Sequence, residues 1–200
     1  MARITPLNPK DWDESIFDIL SKIPAPQSPD GISRSLDGFR NLDPEERPVA
    51  HSLGTFLRHP ALTEAYYTFL AYLWSETLTP RLYELAVLRT SWLQNGEYEW
   101  ATHCRLVRAW DISETEVEAL IVGGDDPSWT PAEAALLHAV DDLCEKQKVG
   151  DENWKRLCAE FDLQQRMDLV VVITTYIALA ATLNTFGVEL EPGMKGFAAR

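Results

Sequence analysis

The run from Leu169 to Phe186, LVVVITTYIALAATLNTF, contains no charged side chain. At about eighteen residues it reaches the lower limit for a membrane span, so it either crosses a bilayer or is covered by protein. Thr174, Thr175, Thr182, Asn184 and Thr185 place hydroxyl and amide groups within it, and no basic cluster flanks it. A lipid-facing span carries the opposite signature. The other helical segments of the chain are patterned amphipathically. The sequence therefore predicts a helix over 164–187 that is buried in a helical core or a subunit interface, with no membrane partner.

Helix starts punctuate the rest of the chain. Asp43-Pro44, Thr79-Pro80 and Thr130-Pro131 each set a capping side chain before a proline, which fits N-cap followed by N1 because Pro has no N–H to lose there. Ser113 with Glu116, and Thr130 with Glu133, have capping-box spacing. These signals predict helices at 12–22, 60–75, 80–94, 97–110, 114–122, 131–148, 151–161 and 164–187. No alternating Val/Ile/Thr run bounded by hairpin turns competes with them. The fold class is all-α: a single-domain helical bundle over 49–200, preceded over 1–48 by an arm rich in proline (Pro6, Pro9, Pro24, Pro26, Pro29, Pro44, Pro48).

With 46% apolar residues in 200, one substantial core can form. Eighteen Lys and Arg against 31 Asp and Glu give a net charge of −13, which repels phosphate backbones and anionic membranes and excludes nucleic acid as an expected partner. The same field repels small anions, so an anion site would need local cations or helix N-termini. Cys104, Cys144 and Cys158 form no CxxC pair and are expected to be free thiols. The opening MARITPLNPKDWDE has charges and prolines where a secretory signal needs an apolar stretch, so the expected location is cytoplasmic. His51, His59 and His138 have no ligand spacing, and the chain contains no HxxxH, HExxH, phosphate loop or GxSxG elbow. Neither a metal nor a nucleotide cofactor is expected.

Chemistry concentrates in Thr79 to Trp110, TPRLYELAVLRTSWLQNGEYEWATHCRLVRAW. Asn95-Gly96 breaks two helical patterns, and Gly96 is expected to supply a positive φ that folds them back as an antiparallel hairpin, with Glu84 facing the second arm. Glu99 and His103 are four residues apart, about 40° around a helix, and share one face. A carboxylate raises the pKa of a neighbouring imidazole, and burial draws the shared proton toward neutral pH, where general acid–base transfer is efficient. The same spacing also describes an ordinary surface pair with a solvated Glu84. Arg89 lies about 140° further round than Glu84; it either binds a substrate carboxylate or pairs with an acidic neighbour in the core. Trp92, Tyr98 and Trp100, with Trp110, either wall an apolar pocket or belong to the core.

ELAVLR, then EYEW, then His103 and the AWDIS turn resemble the carboxymuconolactone decarboxylase family, within the alkylhydroperoxidase D-like superfamily. WTPAEAALLHAVDDL and LVVVITTYIALAATLNTFGVELEPG resemble the family's later helices, so the likeness runs roughly from Leu53 to Pro192. In the family's peroxidase branch a glutamate is followed by CxxC and a histidine. Those positions fall on Glu84, Gly96, Glu99 and His103, so both cysteines are absent and peroxide reduction by thiol–disulfide exchange is not expected. The thiol-free decarboxylase branch has the glutamate, then Tyr-Glu-Trp, then the histidine, as in Glu84, Tyr98-Glu99-Trp100 and His103.

That resemblance implies a bundle of the alkylhydroperoxidase D-like type and a cofactor-free decarboxylation. In the family's founding reaction a γ-lactone loses a carboxylate and passes the electron pair through the ring double bond toward the lactone carbonyl. Such a reaction needs an oxyanion donor and an acid that protonates the α carbon. His103 is the expected acid, tuned and oriented by Glu99, with Glu84 closing the relay; Arg89, Trp92, Tyr98 and Trp100 are the expected substrate contacts. The same relay also serves a cofactor-free isomerase, dehydratase or lactone hydrolase, and the scaffold also suits a non-catalytic oligomeric binding protein. The resemblance further implies assembly as a homotrimer or homohexamer, with a small molecule as the other partner.

Overall fold

The computed structural model describes residues 2–23, 40–43, 47, 49–74 and 77–197. Nine α-helices form among them and no strand: α1 (Glu14–Lys22), α2 (His51–Phe56), α3 (Pro60–Leu73), α4 (Pro80–Leu93), α5 (Glu97–His103), α6 (Glu114–Val122), α7 (Pro131–Lys146), α8 (Asp151–Glu160) and α9 (Leu163–Phe186). The predicted all-α class therefore holds. Helix α2 was not foreseen, and a short 3-10 turn forms in the arm at Pro9–Asp11. Pro24, Pro26, Pro29, Pro48 and the expected helix start at Asp43-Pro44 lie at or within residues outside the described set.

The chain divides into two compact units, Met1–Ser75 with Thr185–Gly193, and Glu76–Asn184 with Met194–Arg200. In the first unit Trp12, Ile16, Phe17 and Leu57 make a small core. Asp13 caps α1 by accepting from the Ser15 and Ile16 amides, and α1 packs on α3. A Cβ on Gly54 would lie 2.9 Å from that of Pro6, so the absent side chain lets the N-terminal strand of backbone approach and donate its Leu7 N–H to the Gly54 carbonyl at 2.8 Å.

The second unit is built around α4. Every residue from Tyr83 to Ser91 is buried, as expected of a helix covered on all sides, and α5, α6 and α7 pack against it. Its start matches the sequence signal: Thr79 accepts from the Leu82 amide and Pro80 is the first helical residue. Both predicted capping boxes form, Ser113 with Glu116 at α6 and Thr130 with Glu133 at α7. Each such cap stabilises its helix by about 1 kcal/mol. Arg81 in the first turn of α4 ties both boxes together through Glu116 and Glu133, and donates to the Asp111 carbonyl as well.

Two local expectations are corrected. The left-handed residue of the α4–α5 turn is Asn95, at φ 52°, not Gly96 at −78°. The Gly96 N–H reaches the Ser91 carbonyl at 2.8 Å, the long hydrogen bond of a Schellman helix end, and asparagine tolerates the left-handed position that this motif needs. Gly96 is required for another reason: a Cβ there would lie 2.9 Å from Glu99 Oε2 and 3.0 Å from the Ala180 side chain. The predicted helix 97–110 also ends early. After His103 the amides of Arg105 and Leu106 bond three residues back, and a 3-10 turn over Val107–Trp110 carries the chain to α6 while burying Val107.

Candidate active site

Glu84 is carried inward by α4 and is fully buried, while Glu99 and His103 lie on the inner face of α5 at 3% and 7% exposure. The helix hairpin thus brings the three predicted residues together. The hydrogen bond that orients His103 comes from Glu84: its Oε2 lies 2.7 Å from His103 Nδ1. Glu99 shares the helix face as its i,i+4 spacing requires, yet neither of its oxygens has a partner on any other described residue, and Glu84 Oε1 is likewise unpartnered. Burial is the main influence on Glu99 and pushes its carboxyl up from 4.5 to about 7, against smaller downward pulls from its own backbone N–H and from His103.

Tyr176, from the middle of α9, completes the cluster. Its hydroxyl is 3.3 Å from His103 Nε2 and 2.8 Å from the Tyr83 hydroxyl. The Tyr176 ring stands edge-on to both, at 5.4 Å from the imidazole centroid and 6.0 Å from the Tyr83 ring. Burial, then the neighbouring Tyr83 and the two glutamates, hold the Tyr176 phenol protonated well above its ordinary range. Sequence reading missed both tyrosines. The available signal was a single phenol at helical spacing with Ile173 and Ala180 in an otherwise uncharged run.

The other predicted contacts lie elsewhere in the same unit. Arg89 donates from Nε to Asp141 at 2.7 Å and from Nη1 to the Leu120 and Ile121 carbonyls at 2.7 and 2.9 Å, closing the C-terminal end of α6. The structure gives it no hydrogen bond to Glu84, Glu99 or His103. Trp92 and Trp100 pack at 5.3 Å, and Phe197 lies against both. Tyr98 is buried. Trp100 and Cys104 line a cavity of ≈ 720 Å³ whose charged lining is Arg105, Arg108 and Lys195 with Glu114 and Glu118, so α5 presents one face to this cavity and another to the histidine cluster. Burial, reinforced by the charge of Glu84, pushes the Cys104 thiol up to about 12, far from a thiolate at neutral pH. Among the described residues no group of three or more His, Cys, Asp or Glu side chains is arranged to hold a metal ion.

The segment bearing Glu84, Glu99 and His103 can now be placed. Residues 60–142 match the carboxymuconolactone decarboxylase family. Tyr176 lies beyond the matched segment. No curated protein matches the chain. Among solved structures, a protein of unknown function from Agrobacterium tumefaciens, named for the antioxidant defence protein AhpD, aligns at 22% identity over 68% of this chain and 94% of its own, with a TM-score of 0.64. The debrominase Bmp8 without ligand aligns at 13% identity over 94% of this chain and 92% of its own, with a TM-score of 0.69. A cysteine-to-alanine variant of Bmp8 with 2,3,4-tribromopyrrole aligns at 12% over 94% and 91%, with a TM-score of 0.70. At such identities the likeness is one of fold, and the fold is AhpD-like.

Proposed function

We propose that this carboxymuconolactone decarboxylase-like protein is a cofactor-free carboxy-lyase acting on a small carboxylated lactone or related unsaturated acid through a glutamate–histidine proton relay. The observation that carries the reading is the 2.7 Å contact between Glu84 and His103 in an interior that also holds a second carboxyl, Glu99. Loss of carbon dioxide leaves an electron pair that must be held as an enolate and then protonated at carbon. A buried acid–base cluster with a proton available near neutral pH suits that demand. The lining of the cavity beside Trp100 carries Arg105, Arg108 and Lys195 against Glu114 and Glu118, with Arg108 paired to Glu114, a small positive balance that favours an anionic substrate locally in a −13 chain. Thiol chemistry of the kind a Cys-dependent relative would use is disfavoured by the protonated Cys104.

The test is carbon dioxide release and product mass from wild type and His103→Ala on a panel of carboxylated lactones and β,γ-unsaturated acids, with folding checked by circular dichroism. Release lost in the folded variant supports the reading. Proton exchange or isomerisation without carbon dioxide would replace decarboxylation by another proton transfer on the same residues. No reaction with any compound would leave a binding role. Self-association belongs to the same proposal: Leu163, Met167 and Val171 form an exposed apolar stripe on α9, a surface suited to a second copy in a trimer or hexamer. A monomer by light scattering would remove that part.

A further inference from the structure

An imidazole can exchange a proton with a ligand only through a nitrogen that is free to reach it. In this structure each nitrogen of His103 has a neighbour on another helix: Nδ1 faces Glu84 on α4, and Nε2 faces Tyr176 on α9. With Glu84 accepting from Nδ1–H, Nε2 is left with a lone pair. The Tyr176 hydroxyl is the donor placed to meet it, while the Tyr83 hydroxyl donates to the Tyr176 oxygen in turn. The hydrogen bonds then run in one direction, from Tyr83 through Tyr176 and His103 to Glu84, and the chain has no free end at the histidine.

Glu99 is in the opposite situation. It is buried to 3% exposure, four residues before His103 on the same helix, and both of its oxygens are unpartnered. A buried carboxyl with no donor from any other described residue aimed at it favours the neutral acid, whose O–H is itself a donor. We propose that Tyr176 is a positioning residue that occupies His103 Nε2, and that the proton given to a ligand therefore comes from Glu99. The titratable groups that interact with this carboxyl are His103 on its own helix and Tyr176 on α9. Burial sets its proton near neutral pH.

For its chemistry the inference rests on the carboxy-lyase reading. The step balances: the substrate carboxylate departs as carbon dioxide, its bonding pair passes into the enolate, the Glu99 O–H proton moves to carbon, and the resulting carboxylate reloads from solvent. His103 is fixed between Glu84 and Tyr176, and Tyr176 acts through His103.

The deciding experiment needs no substrate. Full-length protein labelled with 15N-histidine and 13C-glutamate is titrated by NMR, with His103→Ala and Glu99→Gln identifying the two signals among the chain's four histidines and its glutamates. Expected are a His103 ring protonated at Nδ1 with Nε2 accepting a hydrogen bond, and a Glu99 carboxyl whose midpoint lies near 7. Tyr176→Phe is expected to move the Nε2 resonance toward that of a free ring nitrogen, and Tyr83→Phe to move it less. A ring protonated at Nε2 in the wild type, an Nε2 signal indifferent to Tyr176→Phe, or a Glu99 midpoint below 5 overturns the proposal. If Tyr176→Phe does not fold, the wild-type tautomer, the Tyr83→Phe shift and the Glu99 midpoint still decide it. Where the substrate panel gives turnover, Glu99→Gln is expected to lower kcat about 100-fold or more, while Tyr176→Phe retains turnover with a displaced pH profile. Turnover preserved in Glu99→Gln and lost in His103→Ala returns the donor role to His103. A panel without turnover removes the lyase reading and leaves the NMR result standing.

Discussion

Within the second unit, two carboxylate clusters use the same residue types to opposite ends. At the helix starts, Arg81 holds Glu116 and Glu133, and the remaining oxygen of each glutamate accepts from the Ser113 or Thr130 amide and hydroxyl. Every carboxylate oxygen there is partnered. Burial acts upward on Glu116, but the bonds from Arg81 and Ser113 outweigh it and hold the carboxyl down at about 2. Around His103, three of the four oxygens of Glu84 and Glu99 are unpartnered, and Glu99 is pushed up to about 7. Partnered carboxylates fasten helices. Unpartnered ones are a stability cost that makes sense where a proton is to be moved.

Removing the fastening should have the largest effect. Arg81→Ala leaves Glu133, at 6% exposure, without its ion pair and releases the Asp111 carbonyl; a loss of about 4 kcal/mol is expected from urea denaturation. A loss below about 1 kcal/mol would show that the capping boxes alone hold α6 and α7.

Next comes Glu99→Gln, with the opposite sign. The folded value of Glu99 lies above its unfolded one, so between about 4.5 and 7 the native state binds more protons, and stability falls as pH rises through that window. The glutamine variant escapes this and should be more stable than wild type at pH 8 by up to about 3 kcal/mol, with no difference near pH 4. A gain independent of pH would place the wild-type carboxylate in water.

The acid side sharpens the same contrast. Glu116 and Asp142, the latter held by Lys146, Gly150 and Asn153 against its burial, both sit at about 2 when folded. Their contribution is complete above their unfolded values and is lost as pH falls toward 2. Wild type should therefore be most stable near pH 5, declining on both sides, and Arg81→Ala should flatten the acid limb; thermal melts from pH 2 to 8 read both slopes. The smallest effect is expected at the turn between the clusters. Asn95→Ala should cost about 1 kcal/mol for its left-handed backbone and Asn95→Gly nothing measurable.

Helix starts were legible because Thr-Pro pairs and capping boxes are local chemistry: Ser113, Thr130 and Thr79 need only their own next residues to act. The co-location of Glu84, Glu99 and His103 was legible through the hairpin and helical spacing. What could not be read was the third helix's contribution. Which residue of α9 meets His103 depends on tertiary packing across 73 positions of chain. Local spacing also favoured Glu99 as the partner of the imidazole, whereas the facing helix supplied it. The turn misled for a related reason, since an Asn-Gly pair admits a positive φ at either residue, and contact between Gly96 and Ala180 decides which one is left bare.

A helix such as α9, whose apolar residues are spread evenly around its axis, has no intrinsic inner side: rotated about that axis, it would bury much the same area of oil. Its setting is instead read from one stripe four residues apart, with Tyr176 at the imidazole, Ala180 against Gly96, and Asn184 donating to the Asn95 carbonyl at 3.1 Å. These three side chains act as a key that admits a single rotation. Changes that spare hydrophobicity but blunt the key, such as replacing Ala180 and Asn184 by leucine, would leave a protein just as helical and as compact whose α9 samples several angular registers, with the phenol delivered to His103 in only one of them.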